Sequence, residues 1–535
     1  MKVRIKNISV DLHDDRDLTE IAAAYLKIDT EKINSVKIIR KAVDARRYHG
    51  AGIKFNYILD VEFDGKINLA RDKNLEKIPA KNNFNVAKLP KNLNYNRPIV
   101  VGFGPAGMFA ALILARAGLE PIIFERGGDI DSRAAAVEKF FSTGELDKNS
   151  NVQFGEGGAG TFSDGKLTAR TNDILVDFVL ETFVKAGAPE EILYLQKPHI
   201  GTDKLRDVVK NIRREILNLG GKIYFNSQVT NLEFDASGAV TAAIVNDSER
   251  FLTDAIFLGV GHSARDTYEI LNSHGVAMES KAFAVGVRIE HPQEFINFAQ
   301  YGEDFKNPKL PVADYFLTYK DIEHGRGAYS FCMCPGGVVV AATSEIGGVV
   351  TNGMSNFLRN SGVANSALLV TVDKADFKNF GNDVLSGVRF QRHFEKLAFE
   401  LGEKNYSAPV QSVGDFLNGR ADCKNFLVNP TYPLGYKIAD LNKCLPAEVS
   451  ATLKDALKFW DGKIKNFAES NIAMTGVETR TSAPCRILRD KENFQSVSNA
   501  GIYPIGEGAG YAGGIMSSAI DGIKSAQTFL KQFQN

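Results

Sequence analysis

The segment Val-Gly-Phe-Gly-Pro-Ala-Gly at residues 101–107 constrains this chain more than any other. It sits inside RPIVVGFGPAGMFAALILARAGLEPIIFERGG, residues 97–128. Pro98 to Val101 is a short apolar run suited to a buried strand, Met108 to Ala117 is rich in helix formers, Gly118 ends the helix, and Pro121 to Phe124 reads as the next strand. Gly102, Gly104 and Gly107 therefore fall at a strand-to-helix turn, where the dinucleotide fingerprint needs them. The first allows the tight turn, the second the approach of a pyrophosphate, and the third close packing of helix on strand. The helix beyond, with Pro105 and Ala106 in its first turn, offers free N–H groups to phosphate oxygens. Glu125, closing the second strand with Arg126 beside it, is placed to accept hydrogen bonds from a ribose.

A chain of 535 residues exceeds what one such unit requires, so two to four domains are expected. Lys plus Arg and Asp plus Glu both total 64, which leaves no net field to recruit nucleic acid or anionic lipid. The opening MKVRIKNISVDLHDD mixes charges where a signal peptide would be apolar, and no apolar run is long enough to span a bilayer; the expectation is a cytoplasmic protein. Five cysteines scattered from Cys332 to Cys485 do not make a disulfide framework, and no Cys/His cluster has metal spacing.

A second glycine-rich segment, GIYPIGEGAGYAGGIMSSAIDGIKSA at 501–526, again reads strand, turn, helix. Here the sequence resembles FAD-containing oxidoreductases of the glutathione-reductase-like superfamily, whose chains open the nucleotide domain with a Rossmann unit and return at the end with a strand, a Gly-Asp or Gly-Glu pair, and a helix aimed at the flavin. Gly506 and Glu507 match that pair. The positive end of a helix starting near Gly513, with Gly514 and Ile515, can stabilise negative charge on a reduced ring. Residues 221–265 resemble the superfamily's three-stranded insertion and the strand that follows it, with Val229, Gly259 and Gly261 as candidate cofactor contacts. The segments NVQFGEGGAGTFSDGKLTAR, KPHIGTDKL, SFCMCPGGVVVAATSE and TGVETRTSAPCRILRD are similar to those of bacterial FAD-dependent, or NAD(FAD)-utilising, dehydrogenases, a family named by its cofactor and not by a substrate.

The resemblance implies an α/β chain: a small N-terminal α+β domain (1–92), a Rossmann-type FAD-binding domain with a parallel sheet and a three-stranded β insertion (97–285), an inserted α+β substrate or cap domain (286–490), and the C-terminal return of the FAD-binding domain (491–535). In the N-terminal unit, MKVRIKNISV, VKIIRKAVDARR and KFNYILDVEFDG read as strands around a helix at Leu18 to Leu26. Arg40, Lys41, Arg46 and Arg47 make it locally basic, which a solvated face explains. No second GxGxxG opens a βαβ unit in the insert, so NAD(P)H, if used, would bind transiently near the flavin.

Within GEGGAGTFSDGK the glycines Gly157, Gly158 and Gly160, with Ala159, let backbone approach a planar ring, and Ser163 and Lys166 accompany them. Arg133 resembles an arginine that reaches FAD phosphates in some flavoproteins, or else is a surface charge. For substrate-side proton transfer the candidates are His199, His262, Glu478 and Arg480; Arg480 could clamp a carboxylate or pair with Glu478. Cys334 and Cys485 read as buried thiols, and the missing Cys pair after the fingerprint argues against disulfide reductase chemistry. The expected activity is hydride transfer between a small organic substrate and flavin N5. The alternatives are a flavin-binding protein in nucleic-acid modification or redox sensing, and a reductase of polyprenyl chains.

Overall fold

The structure is a computed structural model that describes residues 1–46, 52–80, 84–90, 95–168 and 173–533. Arg47, one of the four basic residues of the N-terminal unit, lies outside them.

At the centre is a five-stranded parallel sheet in the order Ile502–Pro504, Ile256–Leu258, Ile99–Val101, Ile122–Phe124, Lys222–Tyr224. Its middle strands are only three residues long, and Ile99–Val101 and Ile256–Leu258 are buried throughout. The fingerprint helix, Pro105–Ala117, starts with proline in its first turn and ends on Gly118 in the left-handed conformation, φ 95°. Eleven of its thirteen residues are buried, as an apolar helix requires. It packs on the returning helix Ile515–Lys531, and both belong to one core with Phe257 and Ile505. The chain leaves Ile99–Val101 toward Ile122–Phe124 on one side and later returns on the other. The C-terminal end of that strand is thus the point where strand order reverses, the place where open α/β sheets leave a crevice.

A three-stranded antiparallel sheet, Val229–Phe234, Val240–Val245 and Glu249–Leu252, follows the fifth strand of the parallel sheet. Beyond residue 282 lies a seven-stranded sheet in the order Thr318–Asp321, Arg326–Cys334, Val363–Val372, Phe283–Pro292, Ala473–Glu478, Ala408–Ser412, Tyr436–Ile438, antiparallel except for its last pair. The helices Ser386–Leu401 and Ala447–Asp461 bury against it, the latter around Trp460.

The first residues form a four-stranded antiparallel sheet and the helix Leu18–Leu26, capped by Asp17 and Glu20 in a capping box. The strand Lys54–Phe63 alternates between core and half-buried positions, the pattern of a sheet with one packed face. That face does not stop at the unit's own residues: its core includes Ile296, Tyr301, Met333 and Ala364 of the seven-stranded region. On its other edge, Lys41 exchanges backbone hydrogen bonds with Tyr194 and Gln196. The basic residues are engaged as well. Arg40 donates to Gln196, Arg46 pairs with Asp44 at 2.6 Å, and Lys41 lies over the Phe55 ring, its pKa lowered by burial. The small unit is therefore packed onto the rest of the chain.

Candidate functional site

A cavity of about 580 Å³ opens at the C-terminal ends of the parallel strands, within the range of roughly 300–1,000 Å³ typical of small-molecule sites. Gly102, Gly104, Pro105 and Ala106 form one wall, with Glu125 and Arg126 at the end of the next strand. Gly158, Ala159, Gly160, Ser163 and Lys166 contribute the facing loop. Val229, Gly259 and Gly261 line the side below the three-stranded sheet, and Glu507, Gly513, Gly514 and Ile515 the mouth of the returning helix. Glu478 and Arg480 reach the cavity from the seven-stranded sheet.

Five expected residues are not among the lining. Gly107 and Gly506 act by packing: a Cβ on Gly107 would lie 2.0 Å from the Gly102 carbonyl oxygen, and one on Gly506 2.6 Å from Cβ of Ala106. Gly157 turns the loop, its N–H donating to the Phe103 carbonyl. His199 stacks on Phe357 and donates from Nε2 to that residue's carbonyl at 3.0 Å; burial and then Arg359 lower its pKa. Arg133 is the fifth, and it is neither a phosphate ligand nor a surface charge. It is fully buried, and its guanidinium donates to the carbonyls of Asn151, Val152, Gly155, Glu156 and Gly158 at 2.6–3.2 Å. Its function is to hold the glycine loop in the curve that faces the cavity.

Two features suit an extended dinucleotide. The helices Pro105–Ala117 and Ile515–Lys531 both begin at this cavity, with glycine N-caps and no capping side chain. Their first N–H groups are thereby left to an anion. Gly104 and Gly158 approach so closely that a Cβ on Gly158 would meet the Gly104 Cα at 2.9 Å, so the passage between them is lined by backbone alone. The carboxylate of Glu125 accepts three backbone N–H groups, from Phe103, Gly127 and Gly155, at 2.8–3.0 Å. With about four lone-pair sites on a carboxylate, it ties the fingerprint turn to the loop with three of them.

The pairing of Glu478 with Arg480 that their spacing suggested is not made. Residues two apart in a strand share a face, but the strand ends at Glu478, so Arg480 lies beyond it and each finds its partner elsewhere. Glu478 forms a bidentate pair with Arg288 at 2.5 and 3.0 Å, which holds the buried guanidinium charged in spite of its burial. Arg480 donates to both oxygens of Glu395 at 3.0 and 2.8 Å and so is not free to clamp a substrate carboxylate. Glu395 also receives Arg265 at 2.6 and 2.9 Å; burial alone would raise its pKa, and the two guanidiniums outweigh that and hold it well below the carboxylate range. His262 lines the cavity and is neutral: burial, then Arg480 and Arg265, lower its pKa to about 3.

Glu507 is different. Burial pushes its carboxyl from 4.5 up to about 7, with Lys281 opposing. A carboxyl whose folded pKa is raised contributes stability below its unfolded pKa and loses that contribution as pH rises through the folded value. The ligand-free protein should therefore lose stability from this group between pH 4.5 and about 7, and Glu507→Gln should flatten that part of a Tm-against-pH profile. Parallel profiles for the two proteins would show that Glu507 is solvated.

The sequence reading missed several groups of the site. Asp164 is buried at the cavity wall, bonded to Arg359 at 2.5 and 2.9 Å and to Lys166 at 3.1 Å. Against the cost of burial, Lys166 and Arg359 hold its pKa well below the usual range. Asn352, Phe331 and Cys332 complete the wall beside Glu478. Among these, only the Cys-Met-Cys spacing was a visible signal.

Residues 282–481 match the family described as FAD-dependent protein, C-terminal domain-like, and residues 2–62 match a domain of unknown function, DUF8436. Over its whole length the chain is 48% identical, across 536 residues, to an uncharacterized protein of Clostridium beijerinckii, covering 100% of this chain and 99% of that protein. The chain belongs to the same family as that clostridial protein. Among solved structures it is similar to L-amino acid deaminase from Proteus vulgaris (11% identity, 83% of this chain and 91% of that one, TM-score 0.34). Glycine oxidase from Bacillus cereus gives 10%, 82% and 98%, TM-score 0.33, and L-proline dehydrogenase from P. horikoshii 11%, 82% and 94%, TM-score 0.33. The family match supports FAD as cofactor and gives no support to a pyridine nucleotide. No helix among the described residues is long and apolar enough to cross a membrane, and no group of His, Cys, Asp and Glu among them could hold a metal ion.

Proposed function

We propose that this protein is an FAD-dependent oxidoreductase, of the glutathione-reductase-like type, that oxidises or reduces a small organic substrate. The observation that carries the reading is one cavity bounded by two uncapped helix N-termini, the fingerprint glycines and Glu125. Bound FAD would supply the acceptance or donation of a hydride at N5. In this reading the N–H groups after Gly104 bind the pyrophosphate, and the remaining lone pair of Glu125 orients the adenosine ribose. The start of the helix Ile515–Lys531 favours negative charge on the ring. Glu507, with a pKa near neutrality, holds or releases a proton at the cavity wall. The loop held by Arg133 and the seven-stranded sheet would shield a bound flavin from water. The units proposed are an N-terminal domain (1–92), an FAD-binding domain in two parts (97–285 and 491–535) and an inserted cap (286–490), in a cytoplasmic enzyme.

The test is the visible absorption spectrum of the purified protein, heat release and chromatography of the chromophore, then anaerobic titration with NADH and NADPH. Released FAD is expected. Bleaching by one nucleotide would name the donor, and bleaching by neither would direct the search to substrates as donors. A colourless protein that takes up no FAD would overturn the reading.

A further inference from the structure

One cavity residue has no part in that reading. Cys332 lies near the end of the strand Arg326–Cys334, whose pairing with Val363–Val372 slips between Phe331 and Cys334 by one extra residue. The slip is a β-bulge, a device that re-aims a side chain. Cys332 itself has φ 43°, a conformation that residues other than glycine rarely adopt and that persists only where its surroundings impose it. Three contacts impose it here. Arg288 donates to the Cys332 carbonyl at 3.0 Å, the Lys166 ammonium donates to the Met333 carbonyl, and the Met333 side chain is buried in the core of the N-terminal sheet. Cys332 is thereby turned into the cavity wall. Cys334, fully buried behind it, donates its S–H to the Cys332 carbonyl at 3.3 Å, which holds the two residues side by side.

We propose that Cys332 and Cys334 form a dithiol and disulfide couple that exchanges an electron pair with a flavin in this cavity, Cys332 being the nucleophile and Cys334 the resolving thiol; this rests on the flavin reading above. The bulge breaks the strand's alternation between them, and the bond from the Cys334 thiol to the Cys332 carbonyl keeps the two residues together. In the oxidative direction the Cys332 thiolate and the Cys334 thiol form the S–S bond as the Cys334 S–H bond is lost, and two electrons and one proton pass to an oxidised flavin, which becomes its two-electron-reduced anion. In the reverse direction that reduced flavin supplies two electrons and one proton, the S–S bond breaks, and the Cys332 thiolate and the Cys334 thiol reform.

The charges around the pair suit these roles. Facing Cys332 are Lys166 and Arg288, with Asp164, Glu478 and Glu507 at greater electrostatic cost. The neighbouring Cys334, then Lys166 and Arg288, lower the pKa of the Cys332 thiol against the effect of burial, whereas Cys334 is pushed well above the usual thiol value. One reactive thiolate beside one protonated partner is the asymmetry that such an exchange needs. The remaining cysteines lack it: burial raises Cys444 and Cys485, and Cys423 lies elsewhere on the surface, half-exposed.

The test uses the full-length protein and reads thiols. Iodoacetamide labelling followed by peptide mass spectrometry should show Cys332 reacting at pH 6 at least ~10-fold faster than Cys423, because the thiolate is the reacting form. Diamide should then remove two hydrogen atoms from the peptide carrying residues 332–334, and Cys334→Ser should abolish that change. If Cys334→Ser does not fold, the labelling ratio in the unaltered protein still decides. In the FAD-loaded protein, light-driven anaerobic reduction of the flavin should reopen the disulfide, read as two newly labelled thiols. Cys332 no faster than Cys423, or a disulfide that survives reduction of the bound flavin, would overturn the proposal. FAD uptake with an inert Cys332 sinks the pair and leaves the flavin reading intact. A disulfide in a protein that takes up no FAD sinks the electron exchange and the flavin reading together.

Discussion

Replacing Glu395 by alanine is expected to destabilise the protein by about 3–5 kcal/mol, the range measured when one partner of a buried ion pair is removed. Glu395 is 2% exposed and lies between Arg265 and Arg480, which are 1% and 4% exposed. Its two oxygens accept four hydrogen bonds from these guanidiniums and one from Thr479 Oγ1 at 2.7 Å. Without the carboxylate, two positive charges face each other where water does not reach. Arg265 keeps Glu345 at 2.6 Å, so the outer part of the cluster persists and limits the loss. Glu395→Gln, which preserves shape and some acceptors, should fall between alanine and the unaltered protein. Urea unfolding followed by tryptophan fluorescence measures this directly, since Trp460 is the single tryptophan and is fully buried in the helix Ala447–Asp461. A loss below about 1 kcal/mol, the level of a solvent-exposed pair, would mean that water enters the cluster. The consequence also reaches the site. Arg265 opens the helix after the Gly259 strand, Glu395 belongs to Ser386–Leu401 and Arg480 lines the cavity, so the same cluster joins the seven-stranded sheet to the parallel one.

The second large effect is expected at Gly107. Its Cβ position is 2.0 Å from the Gly102 carbonyl oxygen and 3.1 Å from that carbonyl carbon. Gly102 is itself at φ 90°, and a Cβ there would meet the Gly259 carbonyl at 2.5 Å. Three backbone segments thus meet with no room for a methyl group, and the one side chain close by, Val100 with Cγ1 at 3.2 Å, is fully buried and cannot swing away. Gly107→Ala must push the helix Pro105–Ala117 off the strand Ile99–Val101, and with it the N–H groups that face the cavity. The expected result is at least ~10-fold weaker FAD binding, about 1.4 kcal/mol, read as lost flavin content or by titration of the stripped protein. Gly327→Ala is the contrast: its Cβ would meet only Thr371 Cγ2, at 4.0 Å, its backbone needs no positive φ, and it lies outside the cavity lining, so flavin should be retained. Equal flavin content in Gly107→Ala and the unaltered protein would show that the turn does not bind the cofactor.

The two sites differ in what could be read in advance: the Glu395 cluster gave no sign in the sequence, whereas the turn at Gly107 did. The fingerprint turn was legible because its determinants are local: a three-residue apolar run, proline at the helix start, glycine at its end and glutamate closing the next strand all lie within 27 residues of one another, Ile99 to Glu125. The N-terminal helix was expected at Leu18 to Leu26 and is found there, because its capping residues and apolar face are also local. The returning strand and helix near the C-terminus were legible for the same reason. Arg133 was misjudged because its partners, five carbonyl oxygens of a loop about 20 residues away, carry no side-chain signal. His199 looked like a proton donor from its neighbours in sequence, yet the residue that engages it, Phe357, is 158 positions distant.

By itself, then, the sequence determined the segments whose cause is nearest-neighbour chemistry: the glycine turn, its strands and helix, and the small N-terminal unit's elements. The tertiary structure alone decided which charges meet. Glu478 chose Arg288 over Arg480, Glu395 gathered two arginines from 85 and 130 positions away, and a one-residue slip between two strands turned Cys332 into the cavity. The physical reason is that a buried charge must find its partner wherever packing places one, and strand register is set by the face a sheet must bury.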